Sequence, residues 1–166
     1  TAVVMGINIM LTSSISISFA TAGMTSPTGH CHTFDMNADG YCRAEGCGAL
    51  VLRRVSDATM HSQPIHALIH GVAVKQDGTS ASLTAPNGSA QTRMIGAALR
   101  SAAVARLSLI EAHGTGTPLG DPTEARALAG VAASAGAALG GVKASVGHLE
   151  PAAGMVGLFQ LVLAKQ

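Results

Sequence analysis

The chain contains the stretch Ile110-Glu-Ala-His-Gly-Thr-Gly-Thr-Pro-Leu-Gly-Asp121, in which an apolar run breaks into a glycine-rich loop that carries His113. The apolar residues from Leu107 to Ile110 predict a buried strand, and Asp121-Pro-Thr-Glu124 predicts the start of an Ala-rich helix. A loop between a strand and a helix lies at the carboxyl end of the strand, where α/β proteins usually bind ligands. The stretch therefore predicts an α/β fold with His113 at a ligand-binding edge.

The composition limits the partners that the chain can bind. With a net charge of +1 and 11% charged residues, the surface has no basic patch for nucleic acid or for an anionic membrane. The chain has one Tyr, three Phe and no Trp, which leaves few rings for base stacking. Twenty Gly and many Ala favour helices packed closely on sheets. We expect small or neutral partners and no nucleic acid.

The apolar residues from Thr1 to Phe19 raise the question of a signal peptide or a membrane span. Asn8 and several hydroxyl residues interrupt the run, and no basic segment precedes it, so we expect neither. The three cysteines, Cys31, Cys42 and Cys47, form no even disulfide framework. We therefore expect reduced thiols and an intracellular, cytoplasmic protein.

Apolar periodicity and turn residues divide the rest of the chain into elements. We predict strands at Ala2–Leu11 and Ile15–Phe19, a hairpin of strands at Cys47–Leu52 and Ile65–Val74, a helix from Met94 to near Val104, a strand at Leu139–Val146 and a helix at Pro151–Ala164.

Three motifs with possible chemistry have simpler explanations. The glycines after His113 suggest a dinucleotide fingerprint, but the third glycine is one residue late and Pro118 occupies the turn. The cysteines and histidines between His30 and Cys47 fit no common zinc spacing, so no metal site is predicted. Cys47 between two glycines resembles a nucleophile elbow, but it enters a predicted strand, which favours packing and leaves a Cys/His hydrolase as an alternative.

His148 directly precedes the predicted last helix, whose unpaired N–H groups disfavour a protonated ring. If Lys143 lies nearby, its charge lowers the histidine pKa further and leaves a neutral ring that can donate to a substrate oxygen. His113 and His148 would then form an oxyanion site together. The alternative is that each histidine only satisfies a hydrogen bond inside the protein.

Asp121 and Glu124 also permit two interpretations. Asp-Pro-Thr-Glu has the form of a capping box with Pro at the first helical position, and capping alone would explain both carboxylates. The functional interpretation is that Glu124 also pairs with a buried Lys143.

These residues resemble a known family. Glu111-Ala-His-Gly-Thr-Gly-Thr-Pro-Leu-Gly-Asp-Pro-Thr-Glu124 resembles the first-histidine motif of polyketide-type β-ketoacyl synthases, and Lys143-Ala-Ser-Val-Gly-His148-Leu-Glu-Pro-Ala-Ala-Gly154 resembles their lysine and second-histidine motif. Shorter family motifs match at Ala22–Pro27, Thr33–Asp35, Asp39–Tyr41, Arg43–Gly48 and Leu83–Gly88. The resemblance thus covers nearly the whole chain.

The resemblance implies a thiolase-like fold, a layered αβαβα arrangement of two βαβαβαββ halves that is usually dimeric. It assigns residues 1–74 to the end of the N-terminal half and residues 75–166 to most of the C-terminal half, incomplete at its end. It implies a helix at residues 13–18, where the serine and isoleucine run departs from the family pattern. The family nucleophile, a Cys in Thr-Ala-Cys-Ser-Ser, is expected upstream of Thr1, so this chain carries no nucleophile and is expected to be inactive alone.

The activity implied by the resemblance is decarboxylative Claisen condensation of an acyl thioester with a malonyl-type extender held on acyl carrier protein. No cofactor is bound directly, because the phosphopantetheine arm belongs to the carrier protein. The implied roles are two enolate donors, His113 and His148; a supporting ion pair, Lys143 and Glu124; a polar neighbour, Asp121; and two contacts to the arm, Thr115 and Thr117. A non-elongating or structural ketosynthase-like domain is the chief alternative, since it would share these motifs.

Overall fold

The elements of the chain form two small sheets joined by helices. The computed structural model describes residues 1–80, 82, 85–104 and 106–164, with the backbone alone at 132–135. The strands are β1 (Ala2–Asn8), β2 (Gly46–Leu52), β3 (Leu109–Glu111) and β4 (Ala138–Gly140). The helices are α1 (Ser13–Thr21), α2 (Val55–Met60), α3 (Gly88–Ala102), α4 (Gly120–Ala135), α5 (Lys143–Val146) and α6 (Ala153–Leu163), with a 3-10 turn at Glu150–Ala152 before α6.

The antiparallel sheet of β1 and β2 packs one face against the last helix. Gly6 and Gly48 face each other across the two strands. A Cβ atom at Gly48 would lie 2.7 Å from Cγ of Met155 and 2.9 Å from the ring of Phe159, and one at Gly6 would lie 3.0 Å from the backbone of Ala152. These two glycines therefore let α6 and the turn before it approach the sheet closely.

The parallel sheet of β3 and β4 sets the position of the loops that follow. Leu109 pairs with Ala138 and Glu111 with Gly140, and α4 connects the two strands. Because parallel strands end at the same edge, the residues after Glu111 and after Gly140 come together there. Strand β3 also contacts α6, where a Cβ at Gly157 would lie 3.1 Å from Cγ of Glu111. The last helix thus links the two sheets.

Most of the predicted elements are confirmed. β1 lies within the predicted strand, although it ends at Asn8, and β2 begins one residue early. The helices predicted from Met94, Asp121 and Pro151 are α3, α4 and α6. The Leu83–Gly88 motif lies partly outside the described residues. Within the described part of the chain, none of the helices is long and apolar enough to cross a membrane.

The strand predicted at Ile15–Phe19 is wrong, because these residues belong to helix α1. Hydroxyl groups here bond backbone carbonyls one turn earlier: Ser18 Oγ donates to the carbonyl of Ser14 and Thr21 Oγ1 to that of Ile17. The alternation of serine and isoleucine, which predicted a strand, therefore belongs to a helix. The helix implied by the family resemblance is the correct assignment.

Two other predicted strands need correction. Residues 65–74 form no strand, and β2 pairs with β1 instead, so the predicted hairpin is wrong. This segment lies against α3, where a Cβ at Gly71 would be 2.8 Å from the carbonyl oxygen of Ala98. The strand predicted at Leu139–Val146 ends at Gly140, because the amide of Val142 donates to Oε1 of Glu111 at 2.7 Å and the chain turns into α5.

Replacing Gly48 tests the contact between β2 and α6. We expect Gly48→Val to destabilise the protein by about 1–3 kcal/mol, because its side chain would overlap Met155 and Phe159. Ala49→Val is the matched control, since Ala49 is exposed on the opposite face of the same strand. Urea unfolding of both variants measures the difference. An equal free energy of unfolding for the two variants would contradict this packing.

Candidate active site

Two opposite charges hold the backbone of the loop that carries His113. The carboxylate of Glu124 accepts hydrogen bonds from the amides of His113 at 2.7 Å and Gly114 at 2.8 Å. The Lys143 ammonium donates to the carbonyl oxygen of His113 at 2.6 Å. Lys143 is 4% exposed, so this carbonyl supplies a partner that a buried cation needs. The position of His113 is thus fixed through its own backbone.

The expected direct ion pair between Lys143 and Glu124 is not formed. An ion pair requires a nitrogen–oxygen distance of at most 4.0 Å. In the described part of the chain, Arg43 and Glu150 meet this distance, whereas Lys143 and Glu124 do not. Lys143 and Glu124 instead bind neighbouring backbone groups of the same loop. Their charges still interact, because Glu124 is the first of the charges that oppose the lowering of the Lys143 pKa by burial.

Asp121 holds the second half of the loop. Its carboxylate, 3% exposed, accepts hydrogen bonds from the amides of Gly116 at 3.0 Å, Thr117 at 3.4 Å and Phe34 at 2.7 Å. Helix α4 begins at Gly120, before Asp121, and the carboxylates of Asp121 and Glu124 both bind amides of the preceding loop. The predicted capping box is therefore wrong in its geometry, and both carboxylates organise the loop.

The loop also needs its glycines. Gly114 and Gly116 have φ values of 45° and 78°, which other residues rarely adopt. A Cβ on Gly116 would lie 2.7 Å from the amide nitrogen of His32, and Thr33 Oγ1 donates to the carbonyl of Gly114 at 2.6 Å. The contacts of Thr33 and Phe34 were not predicted as part of the site, although the family motif at Thr33–Asp35 marked the segment.

His148 is oriented by the residue two positions later. Its Nδ1 accepts a hydrogen bond from the amide of Glu150 at 3.0 Å. A neutral imidazole that accepts at Nδ1 carries its proton on Nε2, which makes Nε2–H a hydrogen-bond donor. The backbone of His148 pairs with the segment around Arg43, donating to Cys42 O at 2.7 Å and accepting from Ala44 N at 3.0 Å.

The two histidines lie side by side. Their ring centroids are 5.4 Å apart and the rings are nearly perpendicular, at 87°. The ring centroid of Tyr41 lies 5.0 Å from that of His148; the sequence motif at Asp39–Tyr41 included this residue but assigned it no role in the site. The prediction that His113 and His148 meet is consistent with this placement.

Both histidines are held neutral. Burial lowers the pKa of His148 to about 4, with further lowering by the charge of Lys143 and by His113. His113 is exposed on one side, and the partial loss of hydration of its ring, together with the charge of Lys143, lowers its pKa against the carboxylates of Glu124 and Asp121. For His148, burial rather than the end of a helix is the main cause. The site therefore offers two uncharged rings as donors for an oxygen that becomes negative.

Thr115 and Thr117 lie in the same loop. Their hydroxyl oxygens are 3.2 Å apart, and Thr117 Oγ1 accepts from the amide of Gly120 at 3.2 Å. A mainly apolar cavity of about 690 Å³ opens beside the loop, and Thr115, His113 and Lys143 contribute to its wall, whereas His148 does not. The predicted contact of the two threonines with a phosphopantetheine arm stays a prediction.

The thiols of the cysteines have no hydrogen bond to His113 or His148 in the described part of the chain, although the backbone carbonyl of Cys42 accepts from the amide of His148. Burial raises the pKa of the Cys31 thiol, whose sulfur accepts from the amide of Cys42 at 3.1 Å. Cys47 is exposed on the face of β2 opposite to Gly46 and Gly48, which contact Leu149 and α6. Its predicted packing role is therefore not found, and β2 separates it from the segment that follows His148.

Family models and curated relatives match nearly the whole chain. The N-terminal domain of β-ketoacyl synthases matches residues 1–58 and the C-terminal domain matches residues 66–166. One phenolphthiocerol/phthiocerol polyketide synthase protein from Mycobacterium tuberculosis is 47% identical over 98% of this chain. A mycocerosic acid synthase-like polyketide synthase of Mycolicibacterium smegmatis is 44% identical over 97%. The chain spans about 8% of the length of each relative.

Solved structures agree with these relatives. The ketosynthase from module 6 of the bacillaene synthase of Bacillus subtilis 168 has a TM-score of 0.94 and 36% identity, over 98% of this chain and 31% of that chain. The oxazolomycin ketosynthase domain of Streptomyces albus JA3453 has a TM-score of 0.90 and 38% identity, over 98% and 29%. The predicted thiolase-like α/β fold is confirmed, whereas a boundary between residues 74 and 75 stays a prediction.

The low pKa of His148 predicts how stability changes with pH. Between pH 6.5 and about 4 the unfolded chain binds a proton at His148 that the folded chain does not. The free energy of unfolding should therefore fall as the pH is lowered through this window, by up to about 3 kcal/mol from this residue. Urea unfolding at several pH values measures the slope, which His148→Gln should reduce because it removes the titrating ring. The same slope in wild type and His148→Gln would contradict the assignment.

Proposed function

The chain belongs to the β-ketoacyl synthase family as a partial ketosynthase domain of polyketide synthase type, and we propose that it supplies the decarboxylation half of an acyltransferase site. In the longer protein this site would condense an acyl thioester with a malonyl-type extender. The observation that carries the proposal is the pair of neutral rings, His113 and His148, whose centroids are 5.4 Å apart.

The chemistry follows from where charge develops. When a malonyl thioester loses CO2, the electrons of the broken C–C bond move toward the thioester carbonyl and form an enolate with a negative oxygen. Neutral N–H donors near that oxygen stabilise the transition state more than the uncharged ground state. The enolate carbon then attacks the carbonyl of the acyl thioester, forms the new C–C bond and expels a thiolate. His148 suits the first step because its Nδ1 is occupied and its Nε2–H is free to donate.

Lys143 serves the site in two ways. It holds the carbonyl of His113, which fixes the loop, and its charge lowers the pKa of both histidines. A protonated histidine would attract the malonyl carboxylate and so stabilise the ground state that must lose CO2. A neutral ring lacks this attraction and still donates to the enolate oxygen. We propose that Lys143, Glu124 and Asp121 are positioning residues for this purpose.

The acyl group would be carried by a cysteine outside residues 1–166. Cys31 is buried with a raised thiol pKa, which opposes the thiolate that acyl transfer needs. Cys47 lies on the exposed face of β2, opposite to the face that contacts Leu149 and α6. The proposed site is therefore completed by another part of the longer protein.

The proposed partner is an acyl carrier protein that delivers the extender on its phosphopantetheine arm. The hydroxyls of Thr115 and Thr117 lie in the loop after His113, and Thr115 and His113 line the same cavity. This arrangement supports contact of the two threonines with the amide groups of the arm. We also propose that the complete domain is a homodimer, as the family resemblance implies.

Replacing His148 tests the central role. In the longer protein, His148→Ala should slow the decarboxylation of a malonyl thioester at least about 100-fold, because it removes one enolate donor. Acyl transfer to the enzyme, measured separately with a radiolabelled acyl thioester, should continue. His66→Ala is the control, since His66 is exposed and takes part in none of the loop contacts described above. Decarboxylation by His148→Ala at the wild-type rate would refute the proposed role.

The isolated chain tests the position of the nucleophile. Residues 1–166 incubated with a radiolabelled acyl thioester should acquire no acyl group on Cys31, Cys42 or Cys47, whereas the longer protein should be labelled. Peptide mapping of the labelled protein identifies the cysteine that carries the group. Acylation of one of these three cysteines followed by condensation would overturn the proposal. A longer protein that decarboxylates but never elongates would instead indicate a non-elongating domain.

A further inference from the structure

A partly buried ion pair next to His148 has no part in the reaction steps above. Arg43 Nε donates to Oε1 of Glu150 at 2.6 Å and Nη2 donates to Oε2 at 3.0 Å, so the guanidinium holds the carboxylate with two parallel bonds. The two side chains are 8% and 20% exposed. Such a fork fixes the direction of a carboxylate as well as its distance.

Glu150 has an unfavourable backbone conformation. Its φ is 46°, in the left-handed region that residues with a Cβ seldom occupy. The amide of the same residue donates to His148 Nδ1 at 3.0 Å. The hydrogen bond that selects the tautomer of His148 therefore depends on a strained residue, and something must offset the strain.

Arg43 is itself firmly held. Its Nη1 donates to Oγ of Ser16 at 2.7 Å, and its guanidinium carbon lies 5.2 Å above the ring of Phe19. Both partners belong to α1. The backbone around Arg43 also pairs directly with His148. Arg43 thus joins α1 to both ends of the His148–Glu150 segment, through the backbone at one end and through its side chain at the other.

We propose that Arg43 and Glu150 are positioning residues that hold the Glu150 amide on His148 Nδ1 and so keep His148 as an Nε2–H donor. Without the ion pair, Glu150 would relax toward negative φ. Because the residues after Glu150 are packed against β1 and β2, this rotation would shift the segment that precedes it and move the Glu150 amide away from the ring. Nδ1 would then lose its donor, and the ring could carry its proton on either nitrogen and rotate. The enolate would lose a donor of fixed direction, although His148 itself would still be present.

The inference rests on the proposed function, because it concerns the donor for the enolate. The experiment therefore measures two half-reactions in the longer protein: acyl transfer to the enzyme, and decarboxylation of a malonyl thioester with its kcat and KM. Acyl transfer reports the folded fraction and does not use the His148 donor in the proposed scheme. Absence of decarboxylation in the wild type would overturn the proposed function, and the inference with it.

Arg43→Met is the first variant. We expect its kcat for decarboxylation to fall about ten-fold or more, with KM and acyl transfer changed less than about two-fold, because only the direction of one donor is lost. Arg43→Lys should give a smaller fall, since it keeps the charge but not the fork. Arg54→Met, on an exposed arginine without an ion pair in the described residues, should behave as wild type.

A second substitution tests the strain itself. Glycine adopts positive φ without cost, so Glu150→Gly in the Arg43→Met background should raise kcat by at least about three-fold over Arg43→Met alone. If the ion pair only stabilised the fold, the double variant should have a lower kcat than Arg43→Met alone, because it removes more contacts. If Arg43→Met does not fold, as its acyl transfer would show, Arg43→Lys and Glu150→Gln provide the same kcat and KM comparison. Equal losses in both half-reactions, or no recovery by Glu150→Gly, would overturn the inference.

Discussion

The site depends on the way in which one peptide segment is held between opposite charges. Lys143 binds the carbonyl of His113, while Glu124 binds the amides of His113 and Gly114. A buried cation and a nearby carboxylate normally offset their loss of hydration by direct pairing, yet here both satisfy backbone groups of a loop. Because each charge has its partner in that loop, displacement of the loop would leave a charged group without a partner. The position of His113 is therefore set by the charges of Lys143 and Glu124, which bind its backbone, and not by contacts of the histidine side chain.

The same lysine determines the chemistry of the site as well as its shape. Its position after β4 follows from the parallel pairing of β3 and β4, which brings the two following segments to one edge. From there its charge adds to the effect of lost hydration and lowers the pKa of His113 and of His148, which favours the neutral form of both rings. A buried positive charge that binds no substrate atom can therefore influence both donors at once. The Arg43–Glu150 pair lies beside one of the two donors, and its proposed role is to fix the direction of that donor.

The sequence predicted much of the fold, and its errors have physical causes. The strand at β2 and the helices α3, α4 and α6 could be predicted because each has a clear apolar period and a marked beginning or end. The alternation of polar and apolar residues in α1 predicted a strand, and this was wrong. Short hydroxyl side chains fit a helix because they bond to carbonyls of the preceding turn. Residues 65–74 are apolar enough for a strand, but a strand also needs a partner, and β2 pairs with β1. Partner choice is a long-range property that local composition does not contain.

For the site, the sequence by itself determined the residue types and their order: two histidines, a lysine and two carboxylates in motifs specific enough to identify a family. It also indicated that His148 would be neutral, because this residue directly precedes a predicted helix and Lys143 lies five positions earlier in the chain. Only the tertiary structure decided which groups touch. It directed Lys143 and Glu124 to the backbone instead of to each other, and it placed Arg43 against Glu150, 107 positions apart in the sequence. The physical reason is that a buried polar group takes the best partner within reach, and reach is set by the packing of the whole fold.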